Sequence, residues 1–409
     1  MSAMSLASPV REHDPQPVAT AIGEEDLLVA AEQQPVWADP ERAADVRAEL
    51  AARSGLAGWE EVQRLRTLMA EAAAGTYQII QAGDCAEDPD ECGPRAVDRK
   101  IDLLNALAGV MKINTGRPVI RIGRIAGQFA KPRSSPIEVV DGRELPAYRG
   151  PMVNGPAATL EARRADPDRM LTCYAAAERA ATLLRRGSGA LVPPIGAPVW
   201  TSHEALVLDY EQPLLRRTGD GRTFLASTHL PWIGERTRHV KGSHVRMLAE
   251  VANPIACKAG PTMTPAELVE LCARLDPDRE PGRLTLIARM GVTHVAAKLP
   301  ALVAAVREAG HPVSWLCDPM HGNTIKTPSG LKTRSVRSVI EEVEAFQQAV
   351  AEGGGIASGL HLETTPDDVT ECAWSQGQMS DVGRRYTTLC DPRLNPQQAI
   401  AVAGAWTTA

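Results

Sequence analysis

The sequence predicts a (β/α)₈ TIM barrel, an α/β fold, with a short N-terminal helical extension. Three observations lead there. Eight short apolar runs recur between residues 77 and 363, and several of the segments between them read as helices. No strand-like run is followed by GxGxxG, which would favour an open doubly wound sheet. Nearly every run also ends in a reactive side chain, the pattern of a parallel barrel that gathers its chemistry at one face.

Taken in order, residues 1–38 are rich in Ala, Pro and Glu without periodicity and read as a disordered segment with no apolar export region. Residues 39–75 form the helical extension. In "DPERAADVRAELAARSG" Asp39 is placed to cap, Pro40 takes the first helical position and Gly55 lies just past the end. A second helix runs from Trp59 to about Ala74 and stops at Gly75. The catalytic barrel spans residues 76–409, with strands expected at "YQIIQAG", "PVIRIGR", "APVWTSH", "TFLASTH", "NPIACKAG", "LTLIARMG", "PVSWLCD" and "ASGLHLE". Between them, Thr264 and Glu267 form a capping box before "LVELCARL". "LPALVAAVREAG" ends on Gly310, and "RSVRSVIEEVEAFQQAVAEGGG" ends in glycines.

The chain has 409 residues, 44% hydrophobic and 23% charged, an ordinary globular balance. No apolar run approaches the roughly 18 residues that would span a bilayer. A formal charge of −6 argues against a globally basic nucleic-acid binder. Eight cysteines without a CxxC pair and without a signal peptide imply reduced, mostly buried thiols in a cytoplasmic protein.

The strand ends supply Asp84 and Cys85, then Arg121 and Arg124, Glu235 and Arg236, Lys258, Arg289, Asp318 and His321, and finally His361 and Glu363. Two sets separate by chemistry. Cys85, His321, Glu363 and the later Asp391 offer sulfur, nitrogen and oxygen donors suited to a borderline divalent ion: Mn²⁺, Co²⁺, Fe²⁺ or Zn²⁺. Arg124, Lys131, Arg133, Arg236, Lys258 and Arg289 make a cationic set that calls for strongly anionic, multiply phosphorylated substrates. His203, His229 and His361 read as structural or supporting groups; His239, His244 and His294 read as surface residues.

The ordered motifs "QAGDCAED", "RIGRIAGQFAKPRS", "WTSHEALVLDYE", "WIGERTR", "NPIACKAGP", "LIARMG", "DPMHGNT", "GLHLETTPDDVTEC" and "CDPRLN" together resemble type II 3-deoxy-D-arabino-heptulosonate 7-phosphate (DAHP) synthases. The likeness runs from about residue 30 to the end, and is to the short forms found in phenazine and other secondary-metabolite gene clusters. It implies a transferase of the shikimate route, condensing phosphoenolpyruvate with erythrose 4-phosphate. The implied cofactor is a divalent metal, Mn²⁺ or Co²⁺ ahead of Fe²⁺ or Zn²⁺, on Cys85, His321, Glu363 and Asp391. Arg124, Arg236, Lys258 and Arg289, with Glu235 beside them, would hold phosphoenolpyruvate. Lys131, Arg133 and Ser134 of "KPRS" would serve the aldose, with Asp318 and Lys332 orienting substrate or ligand. The resemblance also implies a homo-oligomer, a dimer or tetramer.

Two departures matter. "YRGPMVNG" carries Pro151 where relatives commonly carry Asp, so Arg149 and Asn154 are left out of the site. The short stretch from Tyr174 to Trp200 leaves no room for the helical insertion used in aromatic-amino-acid inhibition, so feedback is expected to be absent. Cys390 adjoins Asp391 and is expected beside Cys85, where oxidation could pair them. An aminoDAHP synthase is the enzymatic alternative, and a non-catalytic partner of a chorismate-processing enzyme is the alternative of another class.

Overall fold

A computed structural model describes residues 16–17, 31–187 and 198–407. Eight parallel strands close into a barrel in chain order: β1 (Gln78–Gly83), β2 (Val119–Arg124), β3 (Val199–Glu204), β4 (Leu230–Ile233), β5 (Ile255–Ala259), β6 (Leu284–Ala288), β7 (Ser314–Cys317) and β8 (Ala357–Glu363). Closure comes from five residue pairs between β8 and β1, from Gly359 opposite Ile79 to Glu363 opposite Gly83. Among the described residues no helix is long and apolar enough to cross a membrane.

Two helices precede the barrel, α1 (Pro40–Ala51) and α2 (Trp59–Ala73). Asp39 caps α1 by accepting from the Arg42 N–H, with Pro40 in the first turn as the sequence suggests. Helix α2 ends before Gly75, whose φ of 79° suits a residue without a Cβ. It serves as the barrel's floor: Leu65, Met69 and Ala72 pack on Ile79, Ile120, Ile122, Trp200, Leu230, Ala256, Ile287 and Leu316. These strand residues set the phase of the chemistry. Counting on by twos, Ile122 leads to Arg124, Ala256 to Lys258, Ile287 to Arg289 and Leu316 to Asp318. Each inner row is therefore apolar at the floor and charged at the mouth. Arg121 has the opposite phase, and its guanidinium bonds Asn105 on the outer helix α3 (Pro94–Thr115).

Three expectations need correction. "TFLASTH" is not the fourth barrel strand. Thr223–Leu225 pairs antiparallel with Leu215–Arg217 in a small outer sheet, and Leu230–Ile233 fills the barrel position. Pro231, with no N–H, breaks the pattern by which that four-residue run would be recognised. His244 is buried, not a surface residue, and its Nε2 lies 2.9 Å from the Leu206 carbonyl. Lastly, residues 31–38 of the expected disordered segment are fixed on the barrel. Gln34 Nε2 donates to Leu206 O at 2.8 Å, Trp37 Nε1 donates to Asp209 at 2.6 Å, and Arg149 bonds the Gln33 and Gln34 carbonyls. Polar side chains do this work, so apolar periodicity gives no warning of it. Residues 1–15, 18–30, 188–197 and 408–409 lie outside the described residues.

The β8–β1 closure admits no side chain at Gly359: its φ is 152°, and a Cβ there would overlap the Ile79 carbonyl. Gly359→Ala should lower stability by at least about 3 kcal/mol, read as a fall in thermal midpoint, because neither backbone can yield without opening the barrel. An unchanged midpoint would show that the closure tolerates displacement.

Candidate active site

The strand ends surround a cavity of about 370 Å³ at the C-terminal mouth. It is lined by seven cations (Arg124, Lys131, Arg133, Arg236, Lys258, Arg289 and Lys332) against three carboxylates (Glu204, Glu235 and Asp391), which makes it a receptor for anions. Ser134 and His321 also line it, while Cys85, Asp318 and Glu363 are buried beneath. Residues from all nine motifs thus meet in one place.

Glu363 is fully buried at the end of β8 and is contacted by four basic side chains. Its Oε1 lies 3.2 Å from Arg124 Nη2, 3.3 Å from Lys131 Nζ and 3.3 Å from His321 Nε2, and its Oε2 lies 2.8 Å from Arg334 Nη2. Burial alone would raise this carboxyl; Lys131, His321 and Arg334 instead hold it well below the usual range. Asp391 is likewise held down against burial, chiefly by Lys131, whose Nζ is 2.8 Å away. Lys332 Nζ is 2.8 Å from its other oxygen.

Donor atoms of Cys85, Glu363 and Asp391 lie within 4.8 Å of one another. One cation with ligand bonds of about 2.0–2.3 Å brings opposite ligands to nearly that separation. The Lys131 ammonium contacts all three, at 2.7 Å from Cys85 Sγ, so this position favours positive charge. His321 lies beside this group without belonging to it: Nδ1 is held by Asp318 at 2.8 Å, and Nε2 is 3.3 Å from Glu363 Oε1. The residues therefore fit a divalent metal ion. Burial pushes the Cys85 thiol up in pKa, as for any apolar thiol, and a bound cation would reverse that. Cys390 packs against Cys85 as anticipated, and both are free thiols.

The cations are not equally committed. Arg124 donates from Nε to Asp84 O at 2.9 Å and stacks 5.2 Å from the Trp232 ring centroid. Its Nη1 lies 2.7 Å from His361 Nε2, while His361 Nδ1 lies 2.7 Å from Gln81 Oε1. Burial, then Lys258 and Arg124, hold His361 well below its ordinary pKa, so the ring is neutral: Nδ1–H donates to Gln81 and Nε2 accepts from Arg124. Lys258 is 2.5 Å from Asp318, and Arg133 is 2.5 Å from Glu138. By contrast, among the described residues Arg236 has only the Ser134 hydroxyl at 2.5 Å, and Arg289 reaches Glu235 no closer than 3.9 Å. These two guanidinium groups are the readiest to accept a new anion. Arg149 and Asn154, left out at the sequence level, bond loop backbone and do not line the cavity.

Sequence reasoning missed Glu204, Gln128 and Trp232, all of which line the cavity, and Arg334 behind it. Glu204 ends β3, in phase with Trp200, and its Oε1 is buried with no hydrogen-bond partner among the described residues. Burial raises its pKa. Gly234 lies opposite, and a Cβ there would displace that oxygen. The phase of β3 was the available signal.

Comparison with known proteins matches residues 27–191 and 196–406 to the class-II DAHP synthetase family. The chain is 54% identical over 392 residues to a probable phospho-2-dehydro-3-deoxyheptonate aldolase of Pseudomonas fluorescens, covering 93% of this chain and 97% of that protein. It is 38% identical over 430 residues to the phospho-2-dehydro-3-deoxyheptonate aldolase AroG of Mycolicibacterium smegmatis, covering 92% of each. A solved phospho-2-dehydro-3-deoxyheptonate aldolase from Francisella tularensis shares the fold, with a TM-score of 0.51 at 11% identity over 92% of this chain and 99% of that one.

The site's anion affinity should depend on pH through Lys258. Burial lowers its pKa to about 8, opposed by Asp318 and reinforced by Arg124. A lysine whose pKa is lowered keeps its charge below that value and loses it above. Sulfate, whose own charge is constant, should therefore bind roughly threefold or more weakly at pH 9 than at pH 7. Lys258→Arg, which stays charged, should flatten the difference; titration calorimetry at both pH values reads it.

Proposed function

Because the chain belongs to the class-II DAHP synthetase family, and so condenses phosphoenolpyruvate with erythrose 4-phosphate to DAHP and phosphate, we propose that it works with a divalent metal ion on Cys85, His321, Glu363 and Asp391. The supporting observation is the convergence of a thiol, an imidazole and two carboxylates beside a cavity rich in cations. Mn²⁺ or Co²⁺ suits that mixed donor set. Such an ion supplies Lewis acidity at the aldehyde oxygen.

The chain's own residues do the rest. Arg236 and Arg289, the least committed cations, take the phosphate of phosphoenolpyruvate, while Arg124 and Lys258 face its carboxylate. Glu235 braces Arg238 at 2.8 Å and sits beside Arg289, limiting how far that guanidinium can swing. Arg133 and Ser134 hold the aldose phosphate, with the Ser134 hydroxyl adjoining Arg236. C3 of phosphoenolpyruvate attacks the aldehyde carbon, and Lys131 supplies the proton for the new hydroxyl. C2, left electron-poor, takes up a water, and the resulting hemiketal phosphate expels phosphate by C–O cleavage. Asp318 is a positioning residue that orients both Lys258 and His321. Lys332 steadies Asp391.

Glu204 suits the water step. Its buried Oε1 has no hydrogen-bond partner among the described residues, the side chain lines the cavity, and its raised pKa favours taking a proton. Glu204→Gln should lower kcat about 100-fold with a much smaller change in KM for phosphoenolpyruvate, measured by steady-state phosphate release. Equal losses in both parameters, or none, would remove Glu204 from the chemistry.

We place the product in aromatic-derived secondary metabolism, free of feedback by aromatic amino acids, on the short Tyr174–Trp200 stretch. A phosphate-release assay tests this with the metal ligation. Activity should vanish on chelation, return with Mn²⁺ or Co²⁺, and require both substrates. It should be unchanged by Trp, Phe or Tyr; inhibition at micromolar concentration contradicts the regulatory reading alone.

A further inference from the structure

We propose that Arg334 is the positioning residue that assembles the metal donor set, an inference that rests on reading Cys85, His321, Glu363 and Asp391 as ligands. Arg334 ends the short strand Lys332–Arg334 and is fully buried. It does not line the cavity and is no substrate contact. Its guanidinium instead reaches three ligand-bearing segments together. Nη2 is 2.8 Å from Glu363 Oε2. Nε donates to the carbonyl of Met320, the residue before His321, at 2.7 Å, and lies 3.2 Å from Thr324 Oγ1. Nη1 donates to the carbonyl of Pro392, the residue after Asp391.

A guanidinium is rigid and planar, with five N–H groups in a fixed fork. Binding four acceptors on three segments with one such group sets the spacing of those segments together. It also decides which oxygen of Glu363 is available. Oε2 is occupied by Arg334, whereas Oε1 faces Lys131 and His321, toward Cys85 and Asp391. Glu363 is thereby disposed to offer one oxygen. A lysine at position 334 could keep the charge against Oε2 but could not span the two carbonyls.

Protein stripped by chelation and titrated with Mn²⁺ and Co²⁺ tests this. Arg334→Lys and Arg334→Gln should bind Mn²⁺ roughly 10–100-fold more weakly than the parent, as outer-sphere partners of ligands typically do when removed. The near-ultraviolet cobalt–thiolate absorption should weaken or shift in both. KM for phosphoenolpyruvate at saturating metal should be nearly unchanged, because Arg334 touches no substrate. If the glutamine variant does not fold, the lysine variant decides, since it retains a charge opposite Glu363. Parent protein that binds no metal, or Cys85→Ser that binds it as well as the parent, overturns the ligand reading and this inference with it. A parent that binds metal, a Cys85→Ser that binds weakly, and Arg334 variants with parental affinity and spectrum overturn the positioning role alone, even if their thermal midpoints fall.

Discussion

The site is organised around one buried charge, the carboxylate of Glu363. An ionised carboxylate without water is costly unless it is paired and hydrogen-bonded. Here Arg124 comes from β2, Lys131 from the loop after it, His321 from the loop after β7, and Arg334 from the hairpin that follows. Each partner lies far away in sequence, so satisfying this single group requires the barrel to be closed and its loops folded over. The requirement runs both ways: Arg124, Lys131 and Arg334 are buried cations and need Glu363 as much as it needs them. Stability and site geometry are therefore the same problem in this mouth.

Most of that arrangement was legible because strand periodicity carries it. Lys258, Arg289 and Asp318 fall in phase with inward apolar residues, and a period of two needs no tertiary knowledge to apply. Arg121 was misplaced where that phase was not enforced. The fourth strand was missed because four residues including Pro231 make too weak a pattern, while the neighbouring "TFLASTH" looks like a strand and is one, in another sheet. Residues 31–38 could not be foreseen, since what fixes them is a handful of side-chain and carbonyl hydrogen bonds to residues more than a hundred positions away. Glu204 and Arg334 belong to a third kind. Their significance lies in what they do or do not touch, which becomes visible only once distant segments are assembled.

The pairing pattern also explains how a pocket so rich in positive charge stays folded while remaining able to bind anions. Lys258, Arg133 and Lys131 are each neutralised by a carboxylate at 2.5 to 2.8 Å. Their repulsion is thus relieved within the protein. Arg236 and Arg289 are left with a hydroxyl and a distant carboxylate. A doubly charged phosphate can displace those weak partners at little cost, whereas displacing Asp318 from Lys258 would strand a buried charge. The protein consequently separates cations already balanced within the fold, which can still face an anion, from Arg236 and Arg289, whose charge is left mostly for ligand.

That separation bears on the order in which the mouth is built. Arg393 bonds Asp84, which precedes Cys85, and also Glu371, whose carboxylate accepts from the Thr387 and Thr388 N–H groups. Arg334 grips the same returning loop at Pro392. Two guanidinium groups therefore anchor the segment carrying Asp391 on either side of it, one toward β1 and one toward β8. Asp391 is thereby fixed relative to Cys85 by these clamps. The spacing of these side chains is accordingly set by buried charge pairs beneath the pocket, and the cavity above can be shaped independently.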